Sequence, residues 1–76
     1  MARLTRDQVL KFVEQAVSLS GHDLSGLDLA HAQLRGTDFS GADLSDCDLR
    51  NANLTCANFE GAKLRQAKLD GADLRY

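Results

Sequence analysis

From Leu24 to Leu74 a Leu or Phe stands at every fifth residue: Leu24, Leu29, Leu34, Phe39, Leu44, Leu49, Leu54, Phe59, Leu64, Leu69 and Leu74. A helix face recurs about every 3.6 residues and a strand face about every 2, so neither element can keep this series on one side. Two residues before each large side chain sits a smaller or apolar one: Leu27, Ala32, Ala42, Cys47, Ala52, Ala57, Ala62, Ala67 and Ala72. His22 and Thr37 are the two exceptions. The residue between the two columns is polar throughout, usually Asp or Asn. A fixed period this short signals a repeat architecture, in which each unit buries its apolar face only by stacking on its neighbours.

Units such as Ala42-Asp43-Leu44-Ser45-Asp46 and Ala52-Asn53-Leu54-Thr55-Cys56 resemble the pentapeptide repeat family, and the resemblance covers residues 22 to 76. It implies an all-β solenoid, a right-handed four-sided β-helix with one pentapeptide per side and 20 residues per coil. Eleven units would make just under three coils, a column roughly 13 Å tall at ~4.8 Å per coil.

Stacking at an interval of 20 makes checkable expectations. Phe39 and Phe59 should lie over one another. Asp43 should face Lys63, Asp48 should face Lys68 and Arg50 should face Asp70 as charge pairs between coils. Asp23 over Asp43 and Asp28 over Asp48 would be like charges. The fifth position of each unit should be the third residue of a tight turn, where positive φ favours glycine. Gly26, Gly36, Gly41, Gly61 and Gly71 occupy it, with Asp46 and Asn51, which tolerate that region, at two others. His31, Cys56, Gln66 and Tyr76 suit it less well.

Residues 5 to 20 read as an amphipathic helix. Thr5 and Gln8 have capping-box spacing. Val9, Leu10, Phe12, Val13, Ala16 and Val17 share one face, Lys11, Glu14, Gln15 and Ser18 the other, and Gly21 is the stop. The expected organisation is therefore an N-terminal capping helix over 1–21 and the repeat domain over 22–76. A membrane-surface helix is the alternative, but the polar face mixes Lys11 with Glu14 rather than being basic.

The C-terminal coil carries no cap in this sequence. Either it pairs with a second copy through Leu64, Leu69, Leu74 and Tyr76, or the chain is part of a longer array. A homodimer through that edge is the expectation.

Chemistry is sparse. Cys47 falls in the inward column and His22 and His31 in the first coil, so no Cys–His nucleophile pair is expected. Cys56 lies at an outward corner with no base placed to activate it. The two His and two Cys lack metal-ligand spacing. The aspartates belong to the repeat and the glycines to its turns, so neither a carboxylate site nor a phosphate loop stands out. No catalytic, cofactor-binding or metal-binding residue is expected, and the chain reads as non-enzymatic.

Net charge is −2, too balanced to call for nucleic acid or an anionic membrane as partner. Lys11 and Glu14 interrupt the only N-terminal apolar run, so it is no signal peptide, and a cytoplasmic protein is expected. The leading reading is a structural or protein–protein interaction module whose partner is a protein. The alternative is a DNA-mimicking modulator of DNA gyrase, a role the resemblance implies through quinolone-resistance proteins. Duplex DNA carries about one charge per ~1.7 Å, so a ~13 Å mimic needs about 8 net negatives. Residues 22–76 hold nine acids and six bases, a net of −3, with the signs interleaved.

Overall fold

The computed structural model describes residues 4–75. Its opening element, α1, spans Arg6–Glu14 and begins as the sequence predicts. The Thr5 hydroxyl accepts the Gln8 N–H at 3.2 Å, and the Gln8 side chain accepts the Thr5 N–H at 2.8 Å. Two N–H groups that the first turn leaves without helical partners are thereby satisfied.

The helix ends earlier than its apolar pattern suggests. Ala16 enters the left-handed region at φ 57°. Its N–H then binds the Val13 carbonyl at 3.0 Å, and the Val17 N–H binds that of Phe12 at 2.8 Å. This pair of bonds is a Schellman ending, with alanine where glycine is usual. Ala16 and Val17 therefore leave the helix face assigned to them, and Gly21 is not the stop. Gly21 is a corner of the first coil, donating to Ser40 at 2.9 Å.

From Leu19 onward the backbone is paired at an interval of 20 residues. Parallel bridges join Asp23 to Asp43, Asp28 to Asp48, Gln33 to Asn53, Asp38 to Asn58, Asp43 to Lys63, Asp48 to Lys68 and Asn53 to Asp73. In the first two coils the N–H of the large inward residue donates down the stack, as Leu24 does to Asp43 at 2.8 Å and Leu44 to Lys63 at 2.7 Å. The return bond comes from the outward residue, as Lys63 to Ala42 at 2.9 Å. Each step ends in a four-residue β-turn, Ala42 N–H to Phe39 carbonyl at 3.0 Å being one of them. The pairing appears only as isolated bridges because each step of five spends its ends on turns, leaving too few residues for a longer ladder.

Leu19 extends the fivefold series of buried residues one step towards the N-terminus. Its side chain is fully buried, and its N–H bonds the Asp38 carbonyl at 3.0 Å. The preceding helix pattern masks this unit in the sequence, because Val17 satisfies either period.

The core is the inward column itself. Leu24, Leu29, Leu34, Phe39, Leu44 and Leu49 are wholly buried, with Ala42, Cys47 and Ala52 filling the space beside them. Phe39 and Phe59 stack with ring centroids 5.4 Å apart and planes 8° from parallel. Val9 of α1 joins this core, and Leu10, Phe12 and Val13 pack against it. The Arg6 guanidinium fixes the helix to the first coil by donating to the Asp28 carbonyl at 2.8 Å and to that of Ala30 at 3.2 Å.

The described corner residues take positive φ, including three of the four that suited it least, His31 at 63°, Cys56 at 61° and Gln66 at 59°; Tyr76 lies outside the described residues. A side chain there costs about 1–2 kcal/mol, while glycine costs about 0.5–1 kcal/mol in chain entropy. Cys56→Gly is therefore expected to stabilise the fold by up to about 1 kcal/mol, read as a higher midpoint in urea. A lower midpoint would show that the Cys56 side chain contributes more than its backbone strain costs.

Candidate functional site

Among the described residues, no three His, Cys, Asp or Glu side chains converge as a metal-holding group. Among the same residues no helix is long and apolar enough to cross a membrane. Both cysteines are free thiols. Cys47 is buried in the inward column, its Sγ 2.8 Å from the Leu24 carbonyl, whereas Cys56 is exposed at its corner. His22 lies at the top of the same interior, its ring edge-on to Phe12 at 5.7 Å. His31 is an exposed corner on another side. The functional surface is sought in the outward columns, the ends and the cavities.

The outward Asp and Asn residues have a shared local task. Asp38, Asp43, Asp48, Asn53, Asn58 and Asp73 each accept, through Oδ1, the N–H two residues on. This Asx turn fixes the backbone as it approaches the corner. It also corrects the expected charge pairs between coils. The register is as predicted, but Arg50 binds Asp48 of its own unit, at 2.9 Å through Nε and 2.7 Å through a terminal nitrogen, rather than Asp70. Asp43 and Asp48 likewise bond along their own chain, and Lys63 and Lys68 act on them as charges across the coils without a direct ion pair. The side-chain hydrogen bonds between stacked positions are Ser40 to Ser20 at 3.0 Å, Asn53 to Gln33 at 3.1 Å and Ser18 to the Asp38 carboxylate at 3.3 Å.

These bonds shift the carboxylates. The Arg50 side chain, then its N–H, hold Asp48 far below the usual range. Arg75 lowers Asp73 in the same order, and Ser45 and Ser40, side chain before N–H, lower Asp43 and Asp38. A carboxylate depressed in the folded state adds stability above its unfolded pKa of about 3.9 and loses it as pH falls through the folded value. The melting temperature should thus be level from about pH 8 to pH 5 and fall below about pH 4. A level profile down to about pH 2 would show that the Asx turns do not depend on charge.

The third coil is the most open part. Leu64 and Leu69 are half-buried and Leu74 is 50% exposed, whereas their stacked counterparts Leu44, Leu49 and Leu54 are buried. The inward N–H groups of Leu64 and Leu69 have no backbone partner among the described residues, while those of Leu44 and Leu49 each have one. Tyr76, the fourth residue expected at this edge, lies outside the described residues. The charged residues of this coil are Glu60, a basic run of Lys63, Arg65 and Lys68, an acidic pair of Asp70 and Asp73, and Arg75. A shallow hollow there is lined by Ser45, Lys63, Leu64 and Arg65.

A cavity of about 210 Å³ lies where the end of α1 meets the corner between the first and second coils. Val13, Ala16 and Val17 line one part, and Arg35, Thr37 and Asp38 another. Sequence reasoning missed it. The available signal was Thr37, a polar residue in a column otherwise small or apolar, and its hydroxyl is buried without a hydrogen-bond partner. The other exception, His22, also faces α1, so both departures from the repeat occur where the helix packs.

A family model described as pentapeptide repeats matches residues 15–46 and 42–75, in eight copies. The crystal structure of a pentapeptide repeat protein (Rfr23) from the cyanobacterium Cyanothece 51142 is similar at 31% sequence identity and a TM-score of 0.48, covering 76% of this chain and 44% of that one. The chain thus spans less than half the length of that relative. No curated protein matches the sequence.

Proposed function

Since the chain belongs to the pentapeptide repeat family, we propose that it is a non-enzymatic interaction module: a right-handed, four-sided β-helix closed at its N-terminal end by α1, which binds protein through its open third coil, first of all a second copy of itself. Support for the helix as a closure is the burial of Val9 in the core and the Arg6 bonds to the first coil. Support for a module rather than an enzyme is the family, together with outward polar groups engaged in turn formation. Two free thiols suit a reducing compartment such as the cytoplasm.

The observation that carries the binding reading is the contrast along the stack. Leu54 is 1% exposed, and Leu74, one coil on in the same column, is 50% exposed beside unpaired backbone donors. Exposed apolar surface next to an open hydrogen-bonding edge is a template for association. A second copy suits it because the rim carries four basic and three acidic side chains, so two identical rims meet with little net charge. Residues 22–76 carry a net charge of only −3, far below the density of duplex DNA, and purified protein is expected to leave gyrase supercoiling unaffected.

Mixing a tagged and an untagged copy tests the reading. The tagged copy should retain the untagged one, and Leu74→Asp on both should abolish retention while leaving the circular dichroism spectrum unchanged. Retention unaffected by Leu74→Asp would remove the third coil from the interface.

A further inference from the structure

The cavity between α1 and the first corner presents three different surfaces to whatever enters it. Val13 and Val17 supply an apolar wall, and Val17 is 45% exposed, unusual for a large aliphatic side chain in this chain. Arg35 supplies a cation that makes no hydrogen bond or ion pair among the described residues, unlike Arg6, Arg50 and Arg75, which are each engaged. Asp38 supplies an anion whose carboxylate already accepts from the Ser40 N–H at 2.9 Å and the Ser18 hydroxyl at 3.3 Å.

Arg35 and Asp38 line the same space yet form no ion pair with one another within 4.0 Å, the limit within which the chain's other pairs fall. Two opposite charges that line one concave site without pairing with each other match a ligand that carries both charges itself. Thr37, also in the lining, is buried with its hydroxyl unpartnered. One rotation about its Cα–Cβ bond exchanges that hydroxyl with the methyl. The volume of about 210 Å³ is below the ~300–1,000 Å³ of pockets for drug-sized molecules, so the ligand is small.

We infer that this cavity binds a free aliphatic α-amino acid, its carboxylate on Arg35, its ammonium on Asp38 and its branched side chain against Val13 and Val17. Charge balance favours the zwitterion over a simple carboxylate, which would meet Asp38 as a like charge. It also favours the free amino acid over a peptide end, which offers only one of the two charges. Burial of the hydrocarbon supplies the attraction, and the two charge-assisted contacts fix the orientation. This site is at the opposite end of the stack from the proposed self-association edge and is independent of it.

Titration of the ¹⁵N-labelled protein with L-leucine, N-acetyl-L-leucine and L-leucinamide tests the assignment by amide chemical shifts. L-leucine should move the Val17, Gly36 and Thr37 resonances saturably. Each blocked derivative loses one charge and should bind at least about tenfold more weakly. Arg35→Thr and Asp38→Asn should each weaken L-leucine binding by a similar factor. Both variants should fold, because Thr55 and Asn58 hold the equivalent positions one coil on. The proposal is overturned if L-leucine causes no saturable shift, if the blocked derivatives bind as well, or if either folded variant binds unchanged.

Discussion

Leu49→Asp is expected to leave the chain unfolded, with no cooperative thermal transition by circular dichroism. Leu49 is wholly buried at the middle coil, with Leu29 above it and Leu69 below in the same column. The substitution removes a burial of about 1.5–3 kcal/mol and places a carboxylate where no cation can reach it, at a further cost of several kcal/mol. A 76-residue domain has roughly 4–11 kcal/mol of stability in total. The coil has no alternative register, because a shift of one residue would turn the polar column inward along its whole length. Leu74→Asp is the matched control: half-exposed, it should keep the fold. A cooperative transition for Leu49→Asp near that of the unsubstituted chain would mean that the inward column is wrongly assigned.

Phe39→Ala should be the next most damaging change. Phe39 is the largest wholly buried side chain and stacks on Phe59 in the next coil. Aromatic-to-alanine changes in cores cost about 3–5 kcal/mol, and stacked repeats on either side leave little freedom to collapse into the gap. For a domain of this size that is a fall of roughly 12–40 °C in melting temperature. Phe39→Leu should recover most of it, since Leu19 fills the same column one coil above. Phe59→Ala should cost less, because Phe59 is only half-buried. Equal losses at the two positions would indicate that the third coil is covered in solution.

The architecture was legible because one local rule repeats. A large apolar residue every fifth position, a small one two before it and a left-handed corner two after it leave little choice of backbone. The interval of 20 could then be tested on the aromatic pair, and Phe39 and Phe59 do stack. Two periods overlap at Ala16 and Val17, and there the sequence misled. Both residues suit the helix face, yet a left-handed alanine ends α1 and passes Val17 to the repeat.

Side-chain pairing was less legible than backbone register. Register follows from the apolar columns, whereas an outward aspartate can reach either the next coil or its own backbone. The nearer N–H wins at Asp43 and Asp48, because the turn already holds it in place. The cavity beside Arg35 was illegible for a different reason. It is formed by the junction of two elements with different periods, and only the odd residue in the column, Thr37, hints at it.

The molar mass in solution, measured by light scattering over a range of concentrations, bears most directly on the proposed function. One chain is 8.3 kDa, and two sealed at their third coils should give twice that, with Leu74→Asp returning the single-chain mass. A mass of 8.3 kDa at every concentration for the unsubstituted chain would contradict association through this edge.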